Sequence, residues 1–282
     1  KDQKDNKTIQ YTILVKNQVK PTPNPEPNPQ PRPEPKPEHK HYDHHEKTVE
    51  PILNIDDHYA YMKGYPDKTF GPDKPMTRAE VTMMFARLLK ERPEKGRKYI
   101  MPYKDIKENQ WYAYAVTFMS EKKLVSGYPD GTFKPNAPIT RAEFASIASR
   151  FDSLADKADL KFSDVSKNHW AYKVICSAEA KGWISGYPDG TFKPEKNITR
   201  AEVVSSTNRI LNRYADLDFA KAHVQELAPM IDMNDSHWAY GPIVEAMNGH
   251  DYKRLSDGKH EKWIRLNGKR FTFPIPPYGE EK

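Results

Sequence analysis

Gly127-Tyr-Pro-Asp-Gly-Thr-Phe133, followed at a fixed distance by Thr140-Arg-Ala-Glu143, is the stretch that orders the rest of the chain. The same pair recurs as Gly64-Tyr-Pro-Asp-Lys-Thr-Phe70 with Thr77-Arg-Ala-Glu80, and as Gly186-Tyr-Pro-Asp-Gly-Thr-Phe192 with Thr199-Arg-Ala-Glu202. Both motifs step by 63 and then 59 residues, so the chain is built on a repeat. Tyr-Pro-Asp-Gly is a turn: proline presets φ, aspartate caps locally and glycine accepts positive φ. In the first repeat Lys68 replaces that glycine, which predicts a slightly different or strained turn. Thr-Arg-Ala-Glu is a capping box. Thr77, Thr140 and Thr199 take the N-cap, and Glu80, Glu143 and Glu202 take N3, each side chain satisfying a backbone N–H.

The helices that follow are amphipathic. Val81, Met84, Phe85, Leu88 and Leu89 share one face of the first, and Phe144, Ile147, Ala148 and Phe151 share one face of the second. The third is weaker, because Ser205, Ser206 and Thr207 interrupt Val203, Ile210 and Leu211. Upstream of the turns, Trp111-Tyr-Ala-Tyr opens a helical stretch ending near Leu124, and His169-Trp170-Ala-Tyr opens one ending near Trp183. Asp105-Ile106 and Asp164-Val165 precede them. The first repeat lacks this helix, since His58-Tyr-Ala-Tyr runs straight into Met62-Lys63-Gly64. A helix opening at Asp235-Ser-His237-Trp238-Ala-Tyr240 and running through Met247 has no turn after it. The expectation is that it fills the vacant place in the first unit, closing a circularly permuted three-fold assembly.

Outside the repeats the composition changes. Residues 8 to 17 have the β-branched and aromatic content of a strand, as if ending a preceding domain. Every second residue from Pro21 to Pro37 is proline, which predicts a polyproline II spacer roughly 50 Å long at about 3.1 Å per residue. His39, His41, His44 and His45 follow. They are either the solvated end of the linker or a weak Zn²⁺ or Ni²⁺ set that Asp43 joins. The expected boundaries are 1–20 for the end of a preceding domain, 21–50 for the linker, 51–100, 101–158 and 159–215 for three repeats, 216–250 for the completing helix, and 251–282 for a tail.

With 282 residues, 30% charged and 37% hydrophobic, part of the chain lies outside a packed core. No signal peptide is visible, which suggests part of a longer chain. No run of about 18 apolar residues is present, so no membrane insertion is expected. Cys176 is the single cysteine, so no intrachain disulfide forms. Its mid-helix place suggests packing rather than a nucleophile. That redox pattern suits the cytosol and many Gram-positive surface proteins alike. The net charge of +6 favours anionic partners. The basic residues are spread out with no recognition motif, against nucleic acid. No nucleophile elbow, Walker loop or His-Glu-x-x-His is present, so no enzyme and no cofactor are expected.

The combined motifs resemble the S-layer homology family: a Trp-Ala helix behind an aspartate, the Gly-Tyr-Pro-Asp-Gly-Thr-Phe turn, then Ile-Thr-Arg-Ala-Glu. Ile139 and Ile198 keep the residue before the capping threonine, and Met76 replaces it in the first repeat. The resemblance covers roughly residues 51 to 250. It implies a mainly α, pseudo-three-fold domain with a central helix bundle and grooves between repeats. It also implies an extracellular, cell-wall or S-layer location, with a secreted surface protein tethered to an anionic secondary cell-wall polymer, commonly pyruvylated. The alternative is a self-assembly module without direct glycan binding. The isolated module is expected to be monomeric.

Each candidate binding residue carries two readings. Arg78, Arg141 and Arg200 fall at N1, beside unpaired N–H groups and the positive helix end, where a carboxylate can bind. The alternative is interhelix salt bridges, and ligand contact is the favoured reading. Trp111, Trp170 and Trp238 offer flat faces for sugar C–H groups, or belong to the core. Tyr65, Tyr128 and Tyr187 add contact area and a hydroxyl, or cover a neighbouring helix. Gly64, Gly127 and Gly186 allow close backbone approach to a ligand.

Overall fold

A computed structural model describes residues 53–94, 99–155, 162–275 and 279–280. The strand expected at 8–17, the proline-rich spacer and the four linker histidines lie outside the described residues. The described part is mainly helical, with seven α-helices among the described residues and a small hairpin near the end.

The three capping-box helices are α1 (Arg78–Leu88), α3 (Arg141–Ala148) and α5 (Arg200–Ile210). Each starts as its sequence dictates. The Thr77 Oγ1 accepts from Glu80 N while Glu80 Oε2 accepts from Thr77 N, and the same reciprocal pair forms at Thr140/Glu143 and Thr199/Glu202. The apolar faces of α1 and α3 meet in the core, where Phe85 lies 5.8 Å from Phe144 and 4.6 Å from Phe151. The interruptions in α5 do not shorten it. Ser205, Ser206, Thr207 and Asn208 are buried, and Asn208 accepts from Tyr61 OH and donates to Pro242 O. Asn208 is thus satisfied by groups from distant segments, while Ser205 Oγ is buried without a hydrogen-bond partner among the described residues.

The Trp-Ala helices are α2 (Ala113–Glu121), α4 (Tyr172–Ala180) and, after the short α6 (Leu217–Ala222), α7 (Tyr240–Met247). Helix α1 packs on α2, α3 on α4, and α5 on α7. Each capping-box helix therefore leans on the next Trp-Ala helix, and α7 serves α5 as α2 serves α1. Cys176 is buried in α4.

Backbone hydrogen bonds tie the helix starts to one another. Met76 N donates to Ile198 O, Ile198 N to Ile139 O, and Ile139 N to Met76 O. The residue before each capping threonine thus holds its two counterparts in a closed triangle, and all three side chains are buried.

The C-terminal region was expected as a tail outside the motifs, and in the structure it is folded onto the module. β1 (His250–Arg254) and β2 (Glu261–Leu266) form an antiparallel hairpin with a bulge at Asp251/Tyr252. Trp263 is buried beneath it. Phe273 is buried against Tyr114 and Phe118. The segment around Ala60 is stitched in from both sides, with Ala60 N to Lys269 O, Phe271 N to Ala60 O, and Tyr61 N and Met62 N to Ala246 O. No helix among the described residues is long and apolar enough to cross a membrane.

Candidate functional site

The three Tyr-Pro-Asp turns share one geometry. Gly131 and Gly190 adopt φ of 78° and 77°, and Lys68 takes the same left-handed conformation at 66°. One turn later the residues exchange: Gly71 stands at φ 68°, where Lys134 and Lys193 stand at 55° and 57°. Each repeat thus spends its glycine on one of two left-handed positions and a lysine on the other. The first repeat therefore keeps the shape of the others, with the strain at Lys68.

A carboxylate closes each turn. Asp105 accepts from Phe133 N and Lys134 N at 2.8 Å, and Asp164 accepts from Phe192 N and Lys193 N at 2.7 Å. In the first repeat Asp232 does this for Phe70 N and Gly71 N at 2.7 Å, 161 residues away from the latter in sequence. Asp105, Asp164 and Asp232 each stand six residues before a tryptophan of the set Trp111, Trp170 and Trp238. That spacing is the sequence signal for Asp232, whereas Asp235 only opens the stretch that leads into α7.

The arginines cross from one repeat to the next. Arg78 Nε donates to Phe133 O and Nη2 to Ser126 O, both at 2.9 Å, and Nη1 lies 3.2 Å from Glu143 Oε1. Arg141 makes the corresponding bonds to Phe192 O, Ser185 O and Glu202. Arg200 returns to the first repeat, donating to Phe70 O and Lys63 O at 2.8 Å. All three are buried. Each guanidinium stacks 4.5 to 4.9 Å from a tyrosine–phenylalanine pair: Tyr128 and Phe133, Tyr187 and Phe192, Tyr65 and Phe70. The backbone donors expected to stand open beside them are occupied. Arg78 N and Ala79 N donate to Ala137 O and Pro135 O, and the other two helices repeat this.

Glutamates of the capping boxes do double duty here. Glu143 Oε1 accepts from Tyr128 OH at 2.8 Å, and Glu202 Oε1 accepts from Tyr187 OH. Burial and the bond to Glu202 push the Tyr187 hydroxyl above its ordinary pKa, so it remains a donor. Lysines missed in the sequence crown the tyrosine rings: Lys74 at 4.1 Å from Tyr65, Lys134 at 4.2 Å from Tyr128, Lys193 at 4.5 Å and Lys196 at 4.8 Å from Tyr187. Each tyrosine therefore sits between cations, arginine within and lysine at the rim.

The tryptophans are not core residues. Trp111, Trp170 and Trp238 are 46%, 43% and 51% exposed, each two residues before its helix. His169 and His237 lie alongside Trp170 and Trp238, with ring centroids 5.7 and 5.8 Å apart. At Gly127 and Gly186 a Cβ would collide with the Tyr103 and Phe162 rings and with a turn carbonyl. There the close approach comes from the chain's own packing. Gly64 meets the Thr69 carbonyl and lies beside Met247 of α7.

The S-layer homology domain model matches residues 58–82, 102–145 and 161–204, one segment per repeat. The chain belongs to the S-layer homology family. With it the chain joins the cell-wall-associated surface proteins of bacteria. It is 40% identical over 222 residues to "Cell surface glycoprotein 1" of Acetivibrio thermocellus, covering 74% of this chain and 9% of that protein. It is 38% identical over 210 residues to the "Cellulosome-anchoring protein" of the same organism, covering 72% and 45%. A segment of 164 residues is 32% identical to "Amylopullulanase" of Thermoanaerobacterium thermosulfurigenes, 55% of this chain and 8% of the enzyme. The S-layer homology chain spans less than half the length of each of these relatives.

Proposed function

We propose that this chain is a non-catalytic anchor that holds a surface protein on the bacterial cell wall by binding an anionic, pyruvylated secondary cell-wall polysaccharide. The observation that carries this reading is a surface repeated three times. An exposed tryptophan stands before each Trp-Ala helix, and a tyrosine ring is held between a buried arginine and a rim lysine at each junction. Exposed aromatic faces suit sugar C–H groups, and a cationic rim suits a carboxylate on the sugar.

The reading assigns distinct roles. Trp111, Trp170 and Trp238 are the platforms. Tyr65, Tyr128 and Tyr187 with Lys74, Lys134, Lys193 and Lys196 form the rim. Arg78, Arg141 and Arg200 form the floor, offering the ligand only the Nη1 edge that faces Glu143 and Glu202 in the second and third repeats. In the same reading the module is a pseudo-three-fold assembly with grooves between repeats, and residues 216–250 complete the first repeat. The triangle of bonds at Met76, Ile139 and Ile198 and the substitution of Asp232 for Asp105 and Asp164 support it. A shallow depression at the first repeat, bordered by Lys63, Tyr65, Lys68 and Arg270, adds cationic surface there. The relatives named for a cell surface and for anchoring agree with this, and the enzyme relative fits a shared anchor on different cargoes.

Calorimetric titration of the chain with purified wall polysaccharide, before and after removal of its pyruvyl groups, tests the proposal. Binding that disappears with the pyruvate supports the cationic rim. Binding that persists shifts the affinity to the tryptophans. Absence of binding to both forms, with concentration-dependent oligomers instead, replaces anchoring by self-assembly.

A further inference from the structure

His58 begins the His-Tyr-Ala-Tyr stretch of the first repeat, yet it does not lie alongside a surface tryptophan as His169 and His237 do. Its ring is buried, stacked 3.6 Å from Tyr252 of the hairpin. Three other buried side chains converge on it: Glu245 from α7, and His250 and Glu261 from the two strands of the hairpin. The four contributing atoms all lie within 4.8 Å of one another.

The spacing is that of a coordination shell. Four donors at 2.0–2.1 Å from a tetrahedral metal stand about 3.3 Å apart. His58 Nδ1 lies 3.0 Å from Glu261 Oε2, 3.1 Å from His250 Nε2 and 3.6 Å from Glu245 Oε1. His250 Nε2 lies 3.6 Å from Glu245 Oε2 and 3.8 Å from Glu261 Oε2. The surroundings orient the donors. His250 Nδ1 donates to Asn248 O at 2.9 Å, which turns the Nε2 lone pair inward. Glu261 Oε1 accepts from Arg254 Nη1 at 2.8 Å and from Tyr214 N, which leaves Oε2 for the centre. The second ring wall is Trp263, stacked 3.7 Å from His250.

Protons alone leave this cluster incomplete. His58 has one Nδ1 proton and three acceptors around it. Glu245 is 1% exposed, and neither of its carboxylate oxygens accepts a hydrogen bond among the described residues. The nearby Arg213 directs its hydrogen bonds to the carbonyls of Asn54, Asp57 and Tyr59. Two imidazoles and two carboxylates are the donor set of a borderline divalent ion.

We propose that His58, Glu245, His250 and Glu261 bind one divalent first-row transition metal, Zn²⁺ in the first place, in a closed four-coordinate site. The ion joins the segment entering the first repeat to α7 and to the hairpin, so its binding is coupled to folding of the closed module. It shares no residue with the linker histidines His39, His41, His44 and His45, which any measurement must remove from competition.

The test uses the full chain with those four histidines replaced by serine, stripped with EDTA and then dialysed against Zn²⁺. Metal content by plasma emission is expected to be one zinc per chain, with a melting temperature that rises on adding zinc and falls again with chelator. Co²⁺ in its place should give the strong visible absorption of a four-coordinate ion. Glu245→Gln, nearly isosteric, is expected to weaken zinc binding roughly 100-fold or more with unchanged far-UV circular dichroism. A folded chain that retains no zinc and melts indifferently to zinc and chelator overturns the site. So does zinc held as tightly by folded Glu245→Gln and His250→Gln as by the parent. Should those variants fail to fold, the metal content and melting of the parent decide alone.

Discussion

Arg141 looks, in sequence, like a solvent-facing residue on the first turn of a helix. The structure buries it and uses all three of its guanidinium nitrogens, two on carbonyls of the next repeat and one on Glu202. Removing it strands Phe192 O, Ser185 O and the Glu202 carboxylate in a partly dry junction. Arg141→Ala is therefore expected to destabilise the module by about 2–4 kcal/mol, read from urea denaturation. Trp170→Ala, at an exposed site, should leave the midpoint within about 0.5 kcal/mol and reduce polymer binding. A stable Arg141→Ala would remove the arginine from the junction. Lys68 makes a second prediction. A non-glycine residue in the left-handed region carries about 1–2 kcal/mol of strain. Lys68→Gly, despite the looser unfolded chain, should raise stability by about 0.5–1 kcal/mol in the same assay.

At the level of elements, α7 and the loop before it bond to the first repeat, through Ala246 O and the Asp232 carboxylate. Asp232 is the link that can be isolated. Burial works to raise its carboxyl pKa, but the amides of Phe70 and Gly71 outweigh burial and hold it below the ordinary 3.8. A carboxylate with a depressed folded-state pKa stabilises above its unfolded value, and this contribution is lost as pH falls through the folded one. Asp232→Asn should therefore lower stability at neutral pH by about 1–2 kcal/mol and narrow the loss below pH 3.8, both read from denaturant titrations across pH. The capping boxes were legible because their partners are three residues apart. The role of Asp232 was hidden because its partners lie at Phe70 and Gly71, and a nearer aspartate, Asp235, drew attention. The serine-rich face of α5 misled for a related reason. Asn208 at its end accepts from Tyr61 OH and donates to Pro242 O, from distant segments that periodicity cannot reveal.

Across the whole molecule, the repeat was readable from the recurrence of two motifs, and so was the mainly helical class. The hairpin at 250–266 was not. Its strands break the alternation, since Glu261 is buried and Ile264 is exposed, and the buried rings His250 and Trp263 give no period of their own. The candidate site was half legible. The motifs name the aromatic and arginine positions, while which of them are buried and which exposed depends on which repeat each side chain reaches. Truncation after Leu211 removes α7, the hairpin and Asp232 together. The product is expected to lose its cooperative melt, followed by circular dichroism. A shortened chain melting at the parent temperature would show that the first repeat closes without its C-terminal partners.

The bonds from Ala60, Tyr61 and Phe70 to residues beyond 230 also fix an order of events in the life of the chain. While it is synthesised and passed outward, the first repeat emerges long before the carboxylate and backbone groups it needs. Its partners at Asp232, Ala246 and Lys269 follow at least 161 residues later. Contacts of such long sequence separation slow folding. A polypeptide that cannot close early stays threadable until those downstream segments are free to join it.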